Sequence, residues 1–307
     1  MPYRAKRYEN IFDIDRISLD DHLEALRDKD ILKYWTKFIK SGEMLEVIVY
    51  PLWKTGKAGI EAAIPKLSRE AQKELNHKNR VRRVVRLMNT NFTDKDIWIT
   101  LTYDPAHLPS DEKEAQKAIQ NYIRRLRAFI KKNGLPDLKY IYVTETMKED
   151  GEVGRVHHHI IMNFHDRDMA ESIWNKGGRN QARRLVPDDF GLEGLARYIS
   201  KGKNDTADRK YSKKYGYSLN LDKPIEEKRE NVIRKRKAEK IALDPSSAKD
   251  VFEDLARKAP KNIKGDYIFL DMKPMYSRYV SGVYLYVRMR EAPKNKKKGR
   301  SGLLTRK

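Results

Sequence analysis

The order of strand and helix patterns in the middle of the chain constrains its fold more than any other feature. Residues 96–103 (DIWITLTY) alternate β-branched and aromatic side chains with polar ones, which predicts a strand. Apolar residues at helical spacing from 115 to 129 predict a helix after it. The pattern continues with two strands joined by turn residues, a short helix, a further strand and a last helix, at residues 139–146, 155–164, 167–178, 182–186 and 192–201.

This β-α-β-β-α-β order, followed by a helix, predicts an α+β protein with a ferredoxin-like split core and a central antiparallel sheet. The core is predicted over residues 80–221. Residues 1–79 are predicted to form an N-terminal extension with one strand and a helix-like stretch at 21–39. Basic helices, two strands and a lysine-rich tail are predicted over residues 222–307, with the first helix at 225–243.

The chain is strongly basic, and the excess is concentrated near its C-terminus. The 66 lysines and arginines and 44 aspartates and glutamates give a net charge of +22. Residues 203–307 carry 29 basic and 14 acidic side chains, mostly in a helix-like run at 228–240 and a tail at 294–307. Phosphate backbones attract such segments through counterion release, so this third is predicted to bind duplex DNA. The alternative is a solubilising face or a disordered tail.

The composition also excludes several classes of protein. The chain contains no cysteine, which excludes disulfides, thiolate zinc sites and cysteine nucleophiles. No apolar run approaches the roughly 20 residues that a membrane span needs, and the first residues lack the apolar core of a secretory signal. We therefore expect a cytoplasmic protein that does not bind membranes.

A cluster of histidines on the third predicted strand indicates a metal site. The period of two in a strand places His157 and His159 on one face and His158 on the other. If the preceding turn centres on Gly151, Glu145 lies directly opposite His157, with β-carbons about 5 Å apart. Two imidazoles and a carboxylate suit Mn²⁺ or Mg²⁺, and zinc also accepts such ligands. The alternative is a strand whose histidines are merely exposed or are satisfied in the core.

The last predicted helix offers a nucleophile for phosphate chemistry. Tyr198 and Lys201 are three residues apart and share a helix face. A tyrosine hydroxyl is a poor nucleophile at its ordinary pKa, so it needs a nearby cation, which Lys201 could supply. The pattern is weak by itself, and Tyr211, Tyr215 and Tyr217 are rival nucleophiles.

Taken together, these motifs resemble those of the HUH endonuclease superfamily, and most closely its rolling-circle replication initiators from plasmids and bacterial viruses. The resemblance covers about residues 80–221, and Glu145 stands where the family often places its acidic ligand. It implies a metal-dependent nickase of single-stranded DNA, acting at an origin or hairpin through a 5′-phosphotyrosyl intermediate. The matching segments are WITLTY, RVHHHIIM and LARYISK, at residues 98–103, 155–162 and 195–201.

Two features depart from the family pattern. The residue between the two histidines is usually hydrophobic, whereas this chain has His158, so a shifted register of the metal pair stays open. One tyrosine occupies the helix motif, which resembles the single-tyrosine enzymes.

The chain is predicted to depend on other proteins for unwinding and synthesis. Residues 53–58 (WKTGKA) resemble part of a phosphate-binding loop but lack its first glycine and its final Ser or Thr. A host helicase and polymerase are therefore predicted partners. Three other readings stay open: a transposase or a relaxase, which carry out the same chemical step, and a non-catalytic DNA-binding regulator.

Overall fold

The computed structural model describes residues 31–53, 69–149, 152–177, 179–200, 211–276 and 282–293. It has the predicted α+β architecture, with two antiparallel five-stranded sheets and helices packed against them. None of the helices in these ranges is long and apolar enough to cross a membrane. In chain order the elements are β1 (Ile31–Ser41), β2 (Met44–Trp53), α1 (Arg69–Asn91), β3 (Ile97–Leu101), α2 (Glu112–Lys132), β4 (Tyr140–Glu149), β5 (Glu152–Met162), α3 (Arg167–Ser172), β6 (Gln181–Arg184), α4 (Glu193–Ser200), β7 (Tyr211–Tyr217), β8 (Ile225–Glu230), α5 (Lys235–Leu243), α6 (Ala248–Arg257), β9 (Tyr267–Met275) and β10 (Tyr284–Glu291).

The first sheet, which we call the core sheet, has the strand order β6-β3-β5-β4-β7. Its first four strands follow the predicted split β-α-β-β-α-β pattern, with the β4–β5 hairpin inside the sheet and every neighbour antiparallel. β7 is a fifth strand, paired with β4, where the sequence indicated only a polar connector. Its sequence, YSKKYGY, carries no branched aliphatic side chain, so its pairing with β4 could not be predicted from local pattern.

Helices cover both faces of the core sheet. The α2/α3 face packs Ile99 and Ile160 against α2 residues such as Leu126. On the α1/α4 face, strand residues pack against apolar side chains of the other two helices. The strand residues are Ile141, Val143 and Ile161, and the helix residues are Val84, Met88, Ala196 and Ile199. Because side chains alternate along each strand, every residue of β5 belongs to one of these two faces.

The second sheet combines strands from both flanks of the core, in the order β8-β1-β2-β10-β9. The N-terminal flank contributes two strands where the sequence predicted one. Residues 31–39, predicted as helix-like, form part of β1, because alternate side chains such as Tyr34 and Phe38 are buried in this sheet. The turn to β2 contains Gly42 at φ +59, where a β-carbon would lie 2.0 Å from the backbone oxygen of Asn89.

The basic helix predicted over residues 225–243 is also corrected by the structure. Its first part is the edge strand β8, and only Lys235–Leu243 is helical. β8 pairs with β1, where Lys37 contacts Glu226 at 2.9 Å. These pairing partners lie about 190 residues apart in the chain. The pairing of β8 with β1 therefore leaves no local signal in the sequence.

A buried ion pair connects α1 to the second sheet. Arg86 donates from Nε and Nη2 to the two carboxylate oxygens of Glu46 on β2, at 2.8 and 2.7 Å, and the Tyr286 hydroxyl donates to Oε2 at 2.8 Å. Burial alone would raise the pKa of Glu46, but the Arg86 charge and these hydrogen bonds hold it below its ordinary value. The carboxylate is therefore ionised at neutral pH.

A second ion-pair cluster connects β10 to α4. Arg288 donates from Nη1 to Oε2 of Glu193, in the first turn of α4, at 2.6 Å. It also donates from Nε to Oδ1 of Asp271 at 2.7 Å, and its guanidinium lies 4.0 Å from the centre of the Phe190 ring. The helix that carries Tyr198 is thereby fixed to the second sheet.

Candidate active site

The histidine strand has the register that the sequence predicts. Glu145 on β4 pairs with His157 on β5, and Val143 pairs with His159. Directly opposed residues of an antiparallel pair lie on one face of the sheet. Glu145, His157 and His159 therefore share the α1/α4 face.

His159 is held by contacts on three sides. Its Nδ1 lies 3.0 Å from Oγ1 of Thr100 on β3, and its ring stacks on Trp98 at 5.0 Å with an interplanar angle of 7°. Its Nε2 lies 3.7 Å from Oε2 of Glu145. The hydroxyl contact at Nδ1 fixes the ring orientation so that Nε2 is directed toward the carboxylate.

Tyr198 on α4 lies beside this histidine. Its ring makes edge contacts with His159 and Trp98, at centroid distances of 5.7 and 6.1 Å, while 49% of the residue remains exposed. Partial burial raises the pKa of the Tyr198 hydroxyl, and the negative charge of Glu145 raises it further. Lys201, the predicted helper of this tyrosine, lies outside the described residues.

The three predicted ligands fit a divalent cation in donor chemistry and in their common face. His159 Nε2 and Glu145 Oε2 are already close, and the His157 ring centroid lies 6.4 Å from that of His159. No three His, Asp or Glu side chains within the described ranges are placed as a finished metal site. The residues that could hold an ion are His157, His159 and Glu145.

His158 lies on the opposite, α2/α3 face and is completely buried. Its Nδ1 is hydrogen-bonded to Thr144 Oγ1 at 2.8 Å and its Nε2 to the Tyr103 hydroxyl at 2.7 Å, and Trp174 packs edge-on against the ring. Burial, and secondarily the neighbouring histidines, lowers the pKa of His158 to about 3. Both ring nitrogens are occupied on the far side of the sheet, so the shifted register would not direct His158 at the Glu145 carboxylate.

The rival tyrosines lie on β7, at the edge of the core sheet. Tyr215 and Tyr217 stack on each other, with ring centroids 6.4 Å apart, rather than on His159. Tyr211 pairs through its backbone with Met147. Sequence reasoning did not identify Trp98 and Thr100 as neighbours of His159, although both stand in the WITLTY strand that it singled out.

Comparison with known proteins gives one match. Residues 96–215 match the model of the replication-associated protein ORF2/G2P family. The match spans about two fifths of the chain and contains Glu145, His157, His159 and Tyr198. No curated protein and no solved structure matches the chain significantly. The central part of the chain is therefore similar to a replication-associated protein family.

Proposed function

We propose that the protein nicks and rejoins single-stranded DNA through a 5′-phosphotyrosine on Tyr198, and so initiates rolling-circle replication of a plasmid or phage. The observation that carries the proposal is the packing of Tyr198 against His159, whose Nε2 is directed toward Glu145. The contact between Tyr198 and His159 does not follow from sequence spacing, because the two residues lie on α4 and β5. The proposed nucleophile and the proposed phosphate-handling residues are thus neighbours on one face of the core sheet.

His157, His159 and Glu145 are the residues that would hold Mn²⁺ or Mg²⁺. When bound, such a cation would polarise the scissile phosphate and offset the charge that develops during attack. The Thr100 contact and the Trp98 stack serve this role by holding the His159 ring in one orientation.

The proposed reaction exchanges one phosphodiester for another. Oη of Tyr198 bonds to phosphorus in line with the departing 3′ oxygen, and the P–O3′ bond breaks. The phenolic proton leaves Tyr198 as the new bond forms, and the 3′ oxygen takes up a proton to become a free hydroxyl. Because the tyrosyl phosphodiester retains the energy of the broken bond, the reverse attack by a 3′-hydroxyl rejoins the strand.

The raised pKa of the Tyr198 hydroxyl means that a neighbouring group must stabilise its ionised form during the reaction. The hydroxyl is protonated at neutral pH, so positive charge is needed beside it in the reacting complex. Lys201 follows Tyr198 by three residues and is proposed to stabilise the phenolate or to hold a phosphate oxygen.

Replication is favoured over the related functions by the family match. A free 3′-hydroxyl can prime a polymerase, and the matched family is described as replication-associated. A transposase or relaxase would carry out the same chemical step on a different DNA partner. Host helicase and polymerase remain proposed partners.

The test is covalent capture of the DNA. Wild-type protein, Mn²⁺ and a labelled single strand from the origin should give a nicked strand and a protein–DNA adduct, mapped to Tyr198 by peptide mass spectrometry. Tyr198→Phe should abolish both products while leaving the thermal melting temperature nearly unchanged, because the ring and its packing remain. Tyr215→Phe is the matched control and should nick normally.

An adduct on another tyrosine would show that the nucleophile is misassigned. Tight DNA binding with no adduct under any divalent metal would instead favour the non-catalytic regulator.

A further inference from the structure

Four tyrosines lie along the β7 edge of the core sheet, two on its α2/α3 face and two on its α1/α4 face. Tyr140 and Tyr142 of β4 lie with ring centroids 6.1 Å apart, and the rings of Tyr215 and Tyr217 on β7 stack at an interplanar angle of 25°. Tyr215 and Tyr217 are 42% and 39% exposed, which is high for large aromatic residues. Packing of the sheet does not account for this exposure.

Arginines accompany these rings from both sides of the sheet. Arg127 of α2 lies 5.6 Å from the centre of the Tyr140 ring, and Arg83 of α1 lies 5.9 Å from that of Tyr217. Within the described ranges, neither Arg124 nor Arg127 forms an ion pair. A cavity of about 280 Å³ opens between the rings and these two α2 arginines.

Gly216 makes room for this arrangement. A β-carbon at this position would lie 2.6 Å from the Tyr142 ring and 2.8 Å from its hydroxyl. The glycine thus lets the ring lie directly on the β7 backbone, at a position that lines the cavity. A strand interior otherwise disfavours glycine, which often marks a close approach of this kind.

We propose that this edge, defined by Tyr140, Tyr142, Tyr215, Tyr217, Arg124 and Arg127, binds the bases of single-stranded DNA. The exposed rings of Tyr215 and Tyr217 suit unstacked bases. The guanidinium groups of Arg124 and Arg127, which form no ion pair within the described ranges, suit the phosphates that join them. Duplex DNA gains little from the rings, because its bases are already stacked on one another. The substrate assignment rests on the proposed function.

The position of the edge suits a strand that also reaches the nick site. His159 and Tyr215 both pair with Val143, one on each side of β4, so they are separated by two inter-strand spacings, about 10 Å. A segment bound at Tyr215 would therefore lie on the face of Tyr198, whereas the cavity beside Tyr140 and Tyr142 lies on the opposite, α2/α3 face. One strand would reach both by passing round the β7 edge.

The test measures DNA binding without cleavage. In the full chain carrying Tyr198→Phe, with EDTA present, fluorescence anisotropy should report binding of a labelled oligothymidine and of a duplex of equal length. Added Tyr217→Leu should weaken single-strand binding by about 5- to 150-fold, the range expected for loss of one stacked base, whereas Tyr217→Phe should keep it. Arg127→Gln should weaken it more than Arg236→Gln, an equal loss of charge on α5.

The proposal is overturned if Tyr217→Leu and Tyr217→Phe bind oligothymidine equally well, or if Arg127→Gln and Arg236→Gln have the same effect. It is also overturned if the edge variants weaken duplex binding as much as single-strand binding. Thermal melting identifies any variant that fails to fold, and Tyr215→Leu with Tyr215→Phe then repeats the comparison. Failure of the nickase proposal would appear separately. The wild type would then give no covalent adduct, while the edge variants would still weaken binding of oligothymidine.

Discussion

At the scale of single residues, His159 is the most constrained member of the candidate site. Trp98, Thr100 and Glu145 contact it from three directions, so its Nε2 has one available orientation. We expect His159→Ala to abolish nicking while leaving duplex binding within about twofold, because the excess of lysine and arginine lies in the C-terminal third of the chain. His165→Ala is the control: this histidine is largely exposed and hydrogen-bonded to Asp96, and its loss should not affect nicking.

Chelation tests the same site without mutation. EDTA should stop nicking by the wild type, and Mn²⁺ in excess should restore it, as followed by gel electrophoresis of a labelled strand. Full activity in EDTA would contradict the metal role of His157, His159 and Glu145.

His158 should make stability depend on pH, because it is neutral in the fold. Its pKa is about 3 in the folded chain and near 6.5 when unfolded, so between these values the unfolded state binds the extra proton. The free energy of unfolding should therefore decrease as the pH is lowered, by up to ~1.4 kcal/mol per unit relative to His158→Gln, which does not titrate. Urea unfolding of both proteins from pH 7 to pH 4 measures the difference, and parallel curves would contradict it.

At the scale of elements, the strands that could be predicted from the sequence are those with a clear local hydrophobic pattern. β3 and β5 were predicted because their β-branched residues are buried on both faces of the core sheet. β1, β7 and β8 were not predicted as strands, because each is polar, aromatic or at an edge of its sheet. These segments are strands because they pair with strands distant in the chain, and their own apolar pattern does not show it. Pairing of strands distant in the chain leaves no local signal.

The candidate site shows the same division. Glu145, His157 and Tyr198 could be selected from residue type and spacing, since a hairpin register and a helix face are local. The stack of Trp98 on His159 joins two strands about 60 residues apart and became visible only in the folded sheet.

The connection between β10 and α4 predicts the effect of a remote substitution. Arg288→Gln leaves Asp271 without its cation and Glu193 with Arg197 alone, in a largely buried setting, which should lower the free energy of unfolding by about 3 kcal/mol. Because Glu193 begins the helix that carries Tyr198, the single-turnover nicking rate should fall as well. Arg290→Gln, on the same strand but more exposed, should cost less than about 1 kcal/mol in chemical denaturation. Equal costs for the two would contradict a special role for Arg288.

At the scale of the whole molecule, the basic C-terminal third is also a structural part. Deleting residues 203–307 would remove β7 from the core sheet and β8, β9 and β10 from the second sheet. Such a truncation would expose the buried side chains of the second sheet, among them Phe38 and Ile48. Charge substitutions therefore test the predicted DNA-binding role more cleanly than truncation does.

The exposed cations of α5 are the suitable targets. Replacing Arg236, Lys237 and Lys240 by glutamine should weaken duplex binding and lower its salt dependence, by about 0.9 in log–log slope for each phosphate that the protein no longer neutralises. Nicking of a short single strand should persist. A control with Lys113, Lys117 and Lys131 replaced on α2 should change duplex binding less, and equal effects in an anisotropy titration over a salt series would contradict the assignment.

The second sheet, built from both flanks of the core, has a consequence for synthesis of the protein on the ribosome. Chains fold progressively as they emerge, so the core sheet is completed while β10 has not yet been made. Arg288, which holds the first turn of α4, emerges 90 residues after Tyr198. Tyr198, the proposed nucleophile, is therefore synthesised before its helix can be fully anchored, and a prematurely terminated product would carry it on a helix without this restraint. Translation of the last strands thus completes the anchoring of the helix that carries Tyr198.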